Sequence, residues 1–151
     1  MDSADRLAAM TSFISHTSVD CAHAYELSEW WRQVLGYVDV VDDPNLPGHE
    51  ECMILPSGTS TSGAGPRLLF IEVPEAKEVK NRLHLDLRPA GGATRDEEVA
   101  RLLALGATRL HDRRREDGRG WVVLADPEGN EFCVLRSEDE VAAGPAVGDA
   151  S

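Results

Sequence analysis

The order of predicted elements occurs twice along this chain and constrains its fold more than any other feature. Each half is predicted to contain a strand, a helix and three further strands. The spacing from His16 to Gly36 in the first half is close to that from His84 to Gly106 in the second, which indicates an internal repeat. One helix and four strands cannot bury a sheet face alone. The sequence therefore predicts an α+β fold of two βαβββ modules, which form a curved mixed sheet around a shared cavity.

Two segments have the pattern of helices. Between residues 24 and 35 apolar side chains recur every three or four positions, and Gly36 follows where a helix commonly ends. The second helix is predicted to begin after Thr94, because its hydroxyl and the carboxylate of Glu97 can form a capping box. Gly106 is predicted to end it.

The predicted strands are short runs bounded by turn residues. Their residues are β-branched, or alternate between apolar and polar side chains. A tight turn is predicted at 126–130, and the composition of 56–66 is typical of a flexible loop. The predicted strands span residues 11–19, 37–41, 51–55, 67–73, 82–88, 107–112, 120–125 and 131–136.

The two ends of the chain differ in composition from its middle. Residues 1–11 are predicted to be a flexible lead, and residues 12–136 one domain, with module one at 12–74 and module two at 82–136. Residues 137–151 contain four acids and no base, which is typical of a solvated, disordered tail.

Charge and composition exclude several classes of protein. With 27 Asp and Glu against 15 Lys and Arg, the net charge is −12, so nucleic acid is not an expected partner. No apolar run reaches the roughly 20 residues that span a bilayer, so no membrane partner is expected. The N-terminus does not resemble a secretory signal, and three cysteines do not make a disulfide framework. A cytoplasmic location is therefore expected.

Two histidines lie at corresponding positions, His16 and His84, each in the first strand of its module. If both face the shared cavity, they supply half of a four-ligand site, and imidazole nitrogen suits Zn²⁺, Fe²⁺, Ni²⁺ or Mn²⁺. Each could instead be a strand histidine that is hydrogen-bonded to a neighbour. The residues alone leave both interpretations open.

Four stretches of sequence together resemble a known family. DCAHAYELSEWWRQVLGY, KEVKNRLHLDL, RLLALGA and WVVLADPEGNEFCVL are similar to the glyoxalase-like branch of the vicinal oxygen chelate superfamily. This superfamily includes glyoxalase I, extradiol dioxygenases, fosfomycin-resistance enzymes and bleomycin-resistance proteins. The resemblance covers residues 12–136. It implies two βαβββ modules, a small-molecule ligand and a homodimer.

The resemblance also implies a ligand set, because the superfamily's metal enzymes take one ligand from the first and last strand of each module. His16 and His84 match the two first-strand ligands. The last-strand glutamate position falls at Cys133, and Glu131, two residues earlier and on the same strand face, could substitute for it. In module one it falls at Ile71, which cannot bind a metal. At most three ligands remain, and Cys133 could instead be a buried core residue.

Other candidate residues surround these ligands. Arg82 could orient an anionic substrate, or belong to a solvated surface of mixed charge. Trp121 could form a wall of the pocket, or part of the core. Lys77, Lys80 and Asn81 are expected to hold the linker between the modules by hydrogen bonds.

Two functions follow as hypotheses. The first is a metal-dependent enzyme of the glyoxalase or dioxygenase type, with Glu131 or Cys133 completing the metal site, or Glu131 acting as the base. The second is a metal-free protein that sequesters a small aromatic or cationic compound, as bleomycin-resistance proteins do. A third interpretation is a scaffold domain that acts through dimerisation.

Overall fold

A computed structural model of the chain describes residues 2–4, 10–58 and 66–145. Part of the predicted lead, most of the predicted loop 56–66 and the end of the predicted tail lie outside these residues. The chain divides into two compact units, Met1–Pro74 and Glu75–Ser151. Within the described part, none of the helices is long and apolar enough to cross a bilayer.

Each unit contains a strand, a helix and three more strands, in the predicted order. The first unit consists of β1 (Thr17–Cys21), α1 (Ala24–Leu35), β2 (Val38–Asp39), β3 (Glu51–Leu55) and β4 (Leu68–Glu72). The second consists of β5 (Leu85–Leu87), α2 (Arg95–Ala104), β6 (Thr108–Asp112), β7 (Val122–Ala125) and β8 (Glu131–Val134), followed by α3 (Glu138–Ala142). The predicted α+β class with two βαβββ modules is confirmed.

The strands form two four-stranded sheets, one in each unit, with equivalent topology. Their orders are β1-β4-β3-β2 and β5-β8-β7-β6. In each sheet the first strand of the unit pairs parallel with the last, and the remaining pairs are antiparallel. The cavity that the two modules are expected to share stays a prediction.

Helix α1 covers one face of the first sheet and has the predicted bounds. Its apolar stripe, which includes Trp30 and Trp31, is buried where the helix packs on β3 and β4. Gly36 ends the helix in the left-handed conformation, with φ of 67°. A carboxylate oxygen of Glu72 in β4 accepts a hydrogen bond from the first helical amide, that of Ala24, at 3.1 Å. The sheet therefore caps the helix that covers it.

Helix α2 covers one face of the second sheet. The predicted capping box is confirmed, because Thr94 Oγ1 accepts from the Glu97 amide and Glu97 Oε2 accepts from the Thr94 amide. The helix packs on β8, where the buried side chains of Phe132 and Val134 lie. Because strand side chains alternate between faces, Glu131 and Cys133 lie on the face opposite the helix.

Both candidate histidines lie one residue before a strand, rather than within the strand as predicted. Strand β1 begins at Thr17, whose amide donates to the Arg67 carbonyl, while the carbonyl of Ser15 accepts from the Arg67 guanidinium instead of from a backbone amide. Strand β5 begins only at Leu85, and before it Asn81 donates its amide to the side chain of Glu131 rather than to the backbone of β8. Backbone groups that bond elsewhere cannot extend the ladder.

Part of the predicted tail is folded, which corrects the prediction for residues 138–142. Ser137 and Glu140 form a second capping box, at the start of α3. Glu140 Oε2 also accepts a hydrogen bond from the Arg95 amide at 2.8 Å. These bonds attach α3 to the beginning of α2, a contact between distant residues that composition cannot reveal.

A glycine shapes the hairpin between β6 and β7. Gly120 has φ of 95°, and a Cβ there would overlap the carbonyl oxygen of Arg113. Beside it, the Arg113 amide donates to the Trp121 carbonyl at 2.9 Å, which extends the hairpin beyond the named strands. The buried guanidinium of Arg95 donates to the Gly120 carbonyl at 3.0 Å. A residue without a side chain is therefore required where the two chain segments approach.

We expect Gly120→Ala to destabilise the protein more than Gly92→Ala does. Gly92 has a similar φ of 82° but open space around its Cα. Gly92→Ala should therefore lower the free energy of unfolding by about 1 kcal/mol, which is the cost of placing alanine in the left-handed conformation. Gly120→Ala adds a steric overlap with backbone and should cost about 2 kcal/mol or more. Urea unfolding of the two variants measures the difference, and equal losses would contradict this account.

Candidate functional site

A pocket of about 460 Å³ lies on the helix-free face of the second sheet. Its residues come from alternate positions of all four strands and from the segment before β5, because alternate side chains of a strand share one face. The lining residues are Lys80, His84, Asp86, His111, Arg113, Trp121, Val123, Glu131, Cys133 and Leu135.

The register of the sheet forms one row of side chains across the pocket. Asp86 in β5 pairs with Cys133 in β8, Cys133 pairs with Val123 in β7, and Val123 pairs with His111 in β6. The row therefore has a thiol and an apolar residue in its middle, with a carboxylate at one edge and an imidazole at the other. A ligand in the pocket would therefore have a polar group at each edge of this row.

Three side chains at one edge of the pocket form a group that can hold a metal ion. Ligand atoms of His84, Asp86 and Cys133 all lie within 4.8 Å of one another. His84 Nδ1 lies 3.2 Å from Asp86 Oδ1 and 4.0 Å from Cys133 Sγ. His84 and Asp86 are two residues apart and so point to the same side of the chain, while pairing of β5 with β8 adds Cys133.

The donor atoms of this group fit a divalent metal. Imidazole nitrogen, carboxylate oxygen and thiolate sulfur bind Zn²⁺ at about 2.0–2.3 Å, which places ligand atoms about 3–4 Å apart. The observed distances need only a small contraction to match. Sulfur favours Zn²⁺ or Fe²⁺ over Mn²⁺, which prefers oxygen.

The thiol of Cys133 is buried, with 7% of the residue exposed. Burial raises the pKa of Cys133 to about 11, and the neighbouring carboxylate of Asp86 contributes to the increase. Without a bound cation, a thiol in this state remains protonated at neutral pH and is a weak nucleophile.

Glu131 lines the pocket but holds the linker through both carboxylate oxygens. Lys77 Nζ donates to Oε1 at 3.1 Å, and the Asn81 amide donates to Oε2 at 3.0 Å. Burial raises the pKa of Glu131, but the hydrogen bonds from Asn81 and Lys77 outweigh it, so the pKa lies below its ordinary value. The linker role predicted for Lys77 and Asn81 is thus observed, whereas Lys80 lines the pocket.

The structure places the other predicted residues as follows. Trp121 is 40% exposed and forms a wall of the pocket. Arg82 is exposed, and it does not belong to the described residues that line this pocket. His16 lies in the first unit, with its Nδ1 3.0 Å from Ser15 Oγ. A metal site shared by His16 and His84 stays a prediction.

The sheet register corrects the predicted counterpart of Cys133 in the first unit. Asp86, two residues after His84, pairs with Cys133. The residue two positions after His16 is Ser18, which pairs with Leu69. Leu69 rather than Ile71 is therefore the counterpart. Both are apolar, so the conclusion that this position supplies no metal ligand is unchanged.

Sequence reasoning missed Asp86, His111 and Arg113 as pocket residues. Asp86 could have been predicted from the sequence, because a residue two positions after a candidate strand ligand lies on the same face of the strand. The sequence contains no such signal for His111 and Arg113, because their placement depends on a register shift between Arg109 and His111 in the pairing of β6 with β7.

Comparison with known protein families gives a match to the glyoxalase-like domain over residues 16–135. The chain belongs to this family. The matched region contains both βαβββ modules and every residue of the candidate metal group. No curated protein sequence matches the chain.

Solved structures share this glyoxalase-like fold. The fosfomycin resistance protein FosX of Listeria monocytogenes, in complex with Mn(II) and 1S,2S-dihydroxypropylphosphonic acid, has a TM-score of 0.60 and 17% identity; the match covers 85% of this chain and 92% of that one. A glyoxalase/bleomycin resistance protein/dioxygenase family enzyme of Burkholderia phytofirmans has a TM-score of 0.57 and 17% identity, covering 82% and 97%. At these identities the likeness shows the fold alone.

We expect Glu131→Ala to destabilise the protein more than Glu131→Gln does. Alanine removes both hydrogen bonds, and should cost about 2 kcal/mol because the carboxylate side chain is only 14% exposed. Glutamine retains an acceptor for the Asn81 amide and loses mainly the ion pair with the partly exposed Lys77, at most about 1 kcal/mol. Urea unfolding measures both. The control is Glu116→Gln, at an exposed position. A loss of stability there equal to that of Glu131→Gln would contradict the assigned role of Glu131.

Proposed function

We propose that this glyoxalase-like protein is a metal-dependent enzyme of the glyoxalase or dioxygenase type, which acts on a small molecule bound in the pocket of the second unit. The observation that carries this proposal is the meeting of His84, Asp86 and Cys133 at the edge of that pocket. A nitrogen, an oxygen and a sulfur ligand brought within 4.8 Å are a suitable start for a divalent metal site.

These three residues would hold the metal, with His16 as the further ligand that the sequence predicts. Of the four metals expected from the sequence, Zn, Fe, Ni and Mn, the sulfur ligand favours Zn or Fe. When bound, such an ion supplies a Lewis acid that polarises oxygen atoms of the substrate. With the three ligands of the second unit an open coordination position remains for those oxygens, whereas with His16 as a fourth ligand the substrate would bind only as the coordination expands to five.

The remaining pocket residues would bind the substrate and move protons. Val123 and Trp121 offer an apolar surface that excludes water from the bound molecule. His111 lies at the far edge of the row from Asp86, outside the metal group, and histidine is the residue that most often transfers protons in enzymes. We assign proton transfer to His111 rather than Glu131, because both oxygens of Glu131 are bonded to the linker.

A metal-free binding protein is the second candidate. Two observations favour it: His84 and Asp86 already satisfy each other at 3.2 Å, and Leu69 stands where the first unit would need a ligand. The protein would then sequester its ligand in the same pocket. The predicted homodimer is part of either proposal, and light scattering tests it.

We expect the protein purified without chelator to contain, or to take up, about one equivalent of a divalent metal. Replacing a ligand should weaken binding at least about tenfold, since even residues that only support ligands have effects of this size. The variants are His84→Ala, Asp86→Ala and Cys133→Ala, and elemental analysis with a Co²⁺ titration is the measurement. His49→Ala, in the first unit, is the control.

Two outcomes separate the candidates. Less than a tenth of an equivalent of metal, with none taken up on addition, would contradict the enzyme proposal and favour the metal-free protein. If metal binds, a loss of affinity in His16→Ala identifies the shared site, whereas unchanged affinity restricts the ligands to the second unit.

A further inference from the structure

The positive charges that face the pocket lack the acidic partners found elsewhere in the same hairpin. Arg114 forms an ion pair with Asp112 at 2.6 Å, and Arg119 forms one with Asp117. Arg113, between the two residues of the first pair, lines the pocket and is exposed, yet its guanidinium has no carboxylate partner in the described part of the chain.

A second unpaired cation lies at the other end of the pocket. Lys80 lines it near Cys133, and its ammonium has no ion pair among the described residues. The acids of the pocket have partners, because Glu131 is paired with Lys77 and Asp86 lies 3.2 Å from the His84 ring, a contact that offsets the charge of Asp86 only when His84 is protonated. Three cations at this pocket, Lys80, Arg113 and the Lys77 that pairs with Glu131, therefore exceed its two acids by one, in a chain whose net charge is −12.

We propose that the pocket takes an organic acid with a flat apolar body, whose acidic group is bound by Arg113 and whose body lies against Trp121. This inference rests on the proposed function, of which it names the substrate class. A guanidinium binds a carboxylate or phosphonate through two parallel hydrogen bonds, which fixes the orientation of the acid. An exposed indole ring gives a flat surface for the adjoining apolar part.

Backbone geometry places the two groups side by side. The hydrogen bond from the Arg113 amide to the Trp121 carbonyl makes them neighbours across the hairpin. Gly120 permits this approach, and Arg95 fixes the turn through its bond to the Gly120 carbonyl. These bonds hold the backbone of Arg113 and Trp121 in place, so only their side chains have to become ordered when a ligand binds.

The distance to the metal group sets the size of the ligand. Arg113 lies two strands away from Cys133 and one row further along, which is about 12 Å between backbones. The side chains of Arg113 and of the metal group both extend into this gap. A molecule about the size of one aromatic ring with a short acidic arm fits between them, with its far end directed to His84, Asp86 and Cys133.

The test compares three probes of the same shape by titration calorimetry: 3-phenylpropanoate, its neutral amide 3-phenylpropanamide, and the cationic 3-phenylpropylamine. We expect the acid to bind about tenfold or more tightly than the amide, because a hydrogen bond to a charged group adds this much. Its affinity should fall with added salt, and the amine should bind least.

Variants assign the preference to Arg113. Arg113→Gln should reduce the affinity for the acid to that for the amide and leave the amide unchanged, while Arg113→Lys should restore part of the difference. Arg115→Gln is the matched control, because Arg115 is exposed in the same hairpin but lies outside the pocket lining. Unfolding curves of each variant show whether the fold is intact.

Three outcomes would overturn the inference: equal binding of acid and amide, full acid preference in Arg113→Gln, or no acid binding at millimolar concentration. Metal content measured on the same samples separates this inference from the proposed function. Acid binding that depends on Arg113 in a protein that takes up no metal supports the inference and contradicts the enzyme proposal. A protein that binds metal but shows no acid preference gives the reverse result.

Discussion

The parallel pairing of β5 with β8 is the interaction on which the candidate site depends. It sets Asp86 beside Cys133, and places His84 one position before the strand, on the same side. A shift of this register by one residue would turn Cys133 away from the pocket and bring Phe132 or Val134 to its place. The burial of those two side chains beneath α2 opposes such a shift, so the apolar core fixes the geometry of the polar group on the other face.

Polar side chains fix the borders of the pocket in the same way. Glu131 binds the linker through Lys77 and Asn81, which brings Lys80 to the pocket. Arg95, buried at the start of α2, holds the turn that places Trp121. Arg95 acts from outside the described pocket lining, whereas Glu131 lines the pocket and is held there by the linker. They position the chain by bonding to backbone groups of the linker and of the hairpin turn.

Family membership and site chemistry carry different parts of the functional argument. The glyoxalase-like fold by itself does not determine which reaction, if any, the protein carries out. The local residues are more specific. A nitrogen, an oxygen and a sulfur donor meet in the second unit, while Leu69 occupies the corresponding position in the first. The unpaired Arg113 adds a preference for acids, which charge summed over the chain would not predict.

The sequence by itself determined the order of the elements in the two modules, but not the helix α3 or the first residues of β1 and β5. The bounds of α1 follow from its apolar stripe and Gly36, and the start of α2 follows from the capping box at Thr94, because these signals are local. Only the tertiary structure decided which side chains meet. The pairing of Asp86 with Cys133, the capture of Glu131 by the linker and the folding of α3 onto α2 all join residues more than 40 positions apart. Such contacts depend on strand register and packing, which no local pattern specifies.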